Sequence, residues 1–218
     1  VRIEGETYGM WHTFLDAFGL IAQPDHSNVF AVGFSLFNMI GQVITLAGVI
    51  LLSGFLSNIF GKRNVFLICL ALTAFFTALF FVVDSTNIST IFIINCLKSL
   101  AYAPTIPLLW AMMGDVADHS EWVNHRRATG FVFAGVVFAL KAGLGIGGAI
   151  CGAIVDSFGF VSNTVQTENA IFGIRLTSSV IPAITFFVGV IALFFYPISK
   201  KLNEHIQDDL AKRRLENN

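Results

Sequence analysis

The sequence predicts an all-helical integral membrane protein of six spans, the first of them incomplete. Three observations carry this. Apolar residues make up 55% of the chain and charged residues 12%, about half the roughly 25% charge of a soluble domain. The apolar residues gather into runs of about 20, the length needed to cross a bilayer at 1.5 Å per residue. Basic residues alternate in position, following every second run. Helices are the only reading, because an open strand edge cannot face lipid.

The opening polar run VRIEGETYG leads into MWHTFLDAFGLIA, a partial span over 8–22. It is too short to cross alone and reads as the tail of a helix whose start lies upstream, so the chain is expected to be part of a longer protein. Val1 opens without a basic n-region, and no signal peptide is read. Full spans are expected at 30–59, 65–83, 88–113, 130–158 and 170–197, joined by short polar connections. The 1–197 bundle is then followed by a tail over 198–218. There Ile198, Leu202, Ile206 and Leu210, four residues apart, draw one apolar stripe on a charged helix. That helix is expected to lie against the cytoplasmic face, with partner binding as the alternative.

Lys62 and Arg63, then Arg126 and Arg127, then Lys200, Lys201, Lys212, Arg213 and Arg214 follow alternate spans, whereas the connections 84–87 and 157–169 hold no Lys or Arg. The positive-inside rule places the basic set and the C-terminus in the cytoplasm. A net charge of −1 implies no nucleic-acid partner. Cys69, Cys96 and Cys151 lie scattered within apolar runs and read as small hydrophobes.

Lys98 and Lys141 sit deep inside spans with no carboxylate at the same depth. An intramembrane charge costs at least about 2.5–3.5 kcal/mol and is normally kept for a task. Pro104 and Pro107 (APTIP) remove two donors in one turn and should break the third span, between Lys98 and Trp110. Lys98 either lines a pathway or snorkels. The fourth span carries Gly130, Gly135, Gly143, Gly145, Gly147, Gly148 and Gly152. Such small residues let backbones approach, so this helix is expected to be crowded by neighbours, with Lys141 held in a pairing or functional role.

Between these spans, GDVADHSEWVNHRRATG offers two readings. Asp115, Asp118, His119 and Glu121 fall partly on one helical face and could hold a divalent metal. Alternatively, the acids pair with Arg126 and Arg127 and form a gate. Asp16 is a candidate cavity-facing charge in the partial span; Arg175 is read as snorkelling near the external interface. Asn87-Ile88-Ser89 fits a glycosylation sequon.

The stretch PLLWAMMGDVADHSEWVNHRRATGFVFAGVVFALKAGLGIGGAI resembles the glycoside–pentoside–hexuronide:cation symporters, the melibiose permease family, within the major facilitator fold. The matching positions are Asp115, Asp118, Glu121, Trp122, Arg127 and Lys141, and GFLSNIFGKR resembles the short cytoplasmic-loop pattern of that fold. The resemblance covers essentially the whole chain as the C-terminal six-helix half. It implies sugar, glycoside or sugar-acid symport with Na⁺ or H⁺ by alternating access, with no other cofactor. It also implies that the cation- and sugar-binding acids lie in an N-terminal six-helix half. Departures at Asn58, Ile59, His119, Val123, His125, Val136 and Val137 leave the sugar open.

The expectation is therefore the C-terminal bundle of an inner-membrane symporter, not an enzyme, whose partners are a sugar, the N-terminal half and lipid. Its pathway residues are Lys141, Lys98, Trp110, Pro104 and Pro107. Its cytoplasmic gate is Asp115, Asp118, Glu121, Arg126, Arg127, Lys62 and Arg63. A non-transporting solute receptor on the same fold and a metal-dependent intramembrane enzyme are the alternatives.

Overall fold

The computed structural model describes residues 29–83, 87–162 and 164–216; the partial span 8–22, with Asp16, lies outside them. Regular structure among the described residues is helical throughout. The helices are α1 (Val29–Phe60), α2 (Lys62–Val82), α3 (Ile88–Tyr102), α4 (Thr105–Asn124), α5 (Thr129–Ser157), α6 (Glu168–Arg175), α7 (Ile181–Phe194) and α8 (Lys200–Glu216). A π-helical turn, Leu176–Val180, joins α6 to α7. Five continuous stretches are long and apolar enough to cross a membrane: 31–60, 62–82, 88–124, 129–157 and 168–194.

Local chemistry sets the boundaries. Gly61 turns α1 into α2 with φ 82°, a left-handed value that a Cβ disfavours. A Cβ there would also meet the Lys200 side chain at 3.0 Å. His125 takes the left-handed cap of α4 at φ 52°, a position His tolerates better than most side chains. Asn87 caps α3 by accepting from the Thr90 amide at 3.3 Å, and Thr167 caps α6 through the Ala170 amide at 3.2 Å. The sequon asparagine thus has a structural task.

The third span breaks at Ala103–Pro104, as APTIP predicts. Pro104 and Pro107 carry no N–H, so the carbonyls of Leu100 and Ala103 lose their i+4 donors. At the same break the Thr105 hydroxyl donates to the Tyr102 carbonyl at 2.6 Å.

The fifth span is not one regular helix, contrary to expectation. The Ile181 amide donates to Leu176, five residues back. Pro182 then denies Ser178 its usual donor, and the widened turn absorbs the mismatch. The hydroxyls of Thr177, Ser178 and Ser179 all donate to carbonyls four residues upstream.

The core lies along α2. Val65, Phe66, Cys69 and Leu70 pack with Leu108 and Met112 of α4 and Val190 of α7. Thr73 and Thr77 are buried on the same helix and donate back to Cys69 and Thr73 carbonyls at 2.7 Å each, leaving no hydroxyl unpaired. Two arginines lace α2 to its antiparallel neighbour. Arg63, at the start of α2, donates to the Leu193 and Phe194 carbonyls that end α7, at 3.4 and 3.1 Å. Arg175, at the end of α6, donates to the Phe81 and Val83 carbonyls that end α2, at 2.6 and 3.1 Å. Arg175 therefore caps a helix, and the snorkelling expected of it is replaced by hydrogen bonds its long side chain makes across the bundle.

The fourth span, α5, corrects the crowding expected of it. It has no buried residue, and a Cβ on any of its seven glycines would meet nothing within 4 Å. Glycine spacing signals that a backbone can come close without saying which one. Among the described residues the main contacts of α5 are with α4, α6 and the π turn. Close approach instead occurs between α1 and α3, where a Gly48 Cβ would lie 2.6 Å from that of Ala103.

Candidate functional site

Two polar regions stand out in this apolar bundle. The first is a cavity of about 300 Å³ between α1 and α3. Asn38, Gln42 and Thr45 enter it from α1, and Asn95, Lys98, Ser99 and Tyr102 from α3. Each set has the spacing of one helical face. Lys98 lies ten residues into α3, about 15 Å along the axis and so near the middle of a roughly 30 Å hydrocarbon layer. Its ammonium lies 5.4 Å from the centre of the Phe80 ring, a cation–π contact. Asn95 is buried and donates to the Phe37 carbonyl at 2.9 Å. Gly41 keeps the cavity open, since a Cβ would come within 3.1 Å of Asn95 Nδ2 and Ser99 Oγ.

The other expected pathway residues do not converge here. Pro104 is buried at the α3–α4 break, with Pro107 half-buried one turn later. Trp110 lies farther along α4, stacked on Phe133 of α5 at 6.1 Å and 13°. Lys141 is exposed on α5, away from the cavity lining. Sequence reasoning singled out Lys98 but missed Asn38, Gln42, Thr45, Asn95, Ser99 and Tyr102. Their signal was present as two polar triplets spaced four and three residues apart within apolar runs.

The second region is the basic end of the bundle. Lys62 donates to both Asp115 oxygens, at 2.7 and 2.9 Å, and this carboxylate is only 7% exposed. Arg127 pairs with Asp118 at 3.2 Å and with Glu121 at 3.7 Å. The tail helix α8 joins the same network. Arg214 reaches Glu121 at 3.2 Å, Gln207 donates to Asp118 at 2.7 Å, and the Trp122 indole donates to Asp209 at 3.1 Å. The apolar stripe of α8 supports this docking: Ile198, Ile206 and Leu210 are buried.

Two expectations for this end are corrected. Arg126 has no ion pair among the described residues: its side chain is exposed, and only its carbonyl is used, accepting from Ser120 at 3.5 Å. Arg63 binds helix-end carbonyls rather than an acid. The metal reading of Asp115, Asp118, His119 and Glu121 also fails. No three such groups converge among the described residues, because the three acids each face a basic or amide partner and His119 packs beside Trp122 at 6.1 Å.

A family model described as MFS/sugar transport protein matches residues 27–200. The chain belongs to this family of sugar transporters. The glucuronide carrier protein homolog of Escherichia coli K12 is 28% identical over 177 residues, 81% of this chain and 38% of that protein. The putative glycoside/cation symporter YagG of the same organism is 31% identical over 179 residues, 82% of this chain and 39% of its own. An isoprimeverose transporter of Lactiplantibacillus pentosus is 32% identical over 132 residues, 61% of this chain and 27% of its own. The chain thus spans about two fifths of the length of the first two relatives. These names agree with the glycoside–pentoside–hexuronide resemblance carried by the 107–150 stretch, and the apolar helices are those of a multi-pass membrane protein.

Proposed function

We propose that this chain forms the C-terminal half-bundle of a secondary transporter that moves a sugar, glycoside or sugar acid inward with Na⁺ or H⁺ by alternating access. The observation that carries the reading is the α1–α3 cavity. An ammonium, three amides and three hydroxyls surround a space of about 300 Å³ at mid-span. Lipid would leave the Lys98 ammonium, the Gln42 amide and the Tyr102 hydroxyl without hydrogen-bond partners at several kcal/mol each, so this face turns toward an aqueous cavity or a second bundle. Names among the relatives, glycoside/cation symporter and isoprimeverose transporter, supply the solute class.

In this reading an N-terminal six-helix half supplies the other wall and the acids that answer Lys141, which stands on the open glycine face of α5. The basic end is the cytoplasmic gate of an inner-membrane protein, built from Lys62–Asp115 and from Asp118 and Glu121 with Arg127. Closing one side of the cavity remakes such pairs, and each exposed pair is worth little alone, so the gate can open at modest cost. Arg63 holds the α2–α7 frame, and Pro104 and Pro107 link the cavity helix to the gate helix. Counterflow of labelled glycosides by the reconstituted full-length protein tests the proposal. Exchange supports transport. Retained solute binding without exchange would replace it with the receptor reading.

A further inference from the structure

The cavity between α1 and α3 carries an unbalanced charge. Among the described residues its lining contains Lys98 and no carboxylate, and the ammonium is met there by the Phe80 ring. On the same span the nearest acid among the described residues is Asp115, about 25 Å farther along by helix rise and already held by Lys62. The other lining groups are arranged differently. Asn38, Thr45 and Asn95 each spend one donor on a carbonyl, of Phe34, Gly41 and Phe37 respectively. Their remaining oxygens, the Gln42 amide, and the Ser99 and Tyr102 hydroxyls are left to bind hydroxyl groups. The cavity therefore offers neutral acceptors and donors together with three ammonium protons that no acid among the described residues meets.

Lys98 and Lys141 differ in who can reach them. Lys141 projects from a helix whose glycines meet nothing, open to side chains of a second bundle. Lys98 is half-buried within a recess of its own bundle, which a small solute enters more readily than an acid anchored on another helix.

We infer that Lys98 selects solute charge: the cavity takes a sugar acid, its carboxylate on Lys98 and its ring hydroxyls on the amides of α1 and α3. This rests on the transport reading and narrows its solute class. A charge-assisted bond of this kind is worth about tenfold to a hundredfold in affinity.

The test uses the full-length protein in proteoliposomes, with matched pairs of methyl uronosides and neutral methyl glycosides in gluco, galacto and manno configuration. Wild type is expected to exchange one uronoside with a KM about tenfold to a hundredfold below that of its neutral partner. Lys98→Gln should bring the ratio of neutral to uronoside KM down to about one, a tenfold to hundredfold change; Lys98→Arg should keep the ratio. Equal KM values for acid and neutral partner in wild type would overturn the inference whatever the variants do, and would leave sugar transport standing. A preference that survives Lys98→Gln would also overturn it. Exchange of none of the pairs would remove both the inference and the transport reading beneath it.

Discussion

Replacing Gly48 by alanine tests the α1–α3 crossing that shapes the cavity. The added carbon would sit 2.6 Å from Ala103 Cβ, with Leu100 Cδ1 at 3.5 Å on its other side. Carbon atoms rest about 3.5–4.0 Å apart, so the helices must separate by about 1 Å. Neither methyl has a rotamer to escape into, and Ala103 is 0% exposed beside the fixed ring of Pro104. Overpacking of this kind costs up to about 3 kcal/mol, against a helix-propensity gain of about 1 kcal/mol for alanine over glycine. The net loss is about 1–2 kcal/mol. Gly54, on the same helix, meets nothing within 4 Å, so Gly54→Ala should show only the gain. Unfolding of the full-length protein in a detergent titration reads both. Gly48→Ala should lower the midpoint, Gly54→Ala should raise it, and Ala103→Gly should restore most of the stability of Gly48→Ala. Shifts of the same sign for the two glycines, or no rescue by Ala103→Gly, would refute the packing argument.

Asp115→Asn should destabilise less than Lys62→Met, because the latter strands a charge that is 7% exposed. We expect a difference of about 1–2 kcal/mol in the same titration, below the full buried-pair cost because Lys62 is 36% exposed. Ile206→Asp places a charge at a site that is 0% exposed and should undock α8, seen as protease cleavage within 199–216 while the span helices stay intact. Lys141→Met should abolish concentrative uptake at normal membrane levels; full accumulation would remove Lys141 from the mechanism.

Hydropathy made the helices legible, and the prolines of APTIP marked where the third one breaks. Both signals act locally. The π turn was harder, because Ser and Thr can satisfy their hydroxyls within a regular helix too, and only Pro182, just beyond LTSSV, hints at the mismatch. The glycines of α5 announced a close approach and gave no address for it. Arg175 looked like an interface residue because its acceptors, Phe81 and Val83, are more than 90 positions away. The acids at the basic end were legible as a cluster. Their pairing with Lys62 and with α8, rather than with Arg126, depends on how the chain ends meet in space. Lys98 was conspicuous by its charge, whereas its amide neighbours were noticed only once α1 and α3 stood side by side.

Arg63 and Arg175 tie the two ends of one antiparallel helix pair, each guanidinium closing the other helix's terminus. A strut fastened at both ends cannot slide or splay without breaking these bonds at both termini, so α2 with α6–α7 should travel as a single piece. Spin labels placed across that pair should report one unchanging separation in every condition. Labels bridging α2 and α5 should report several.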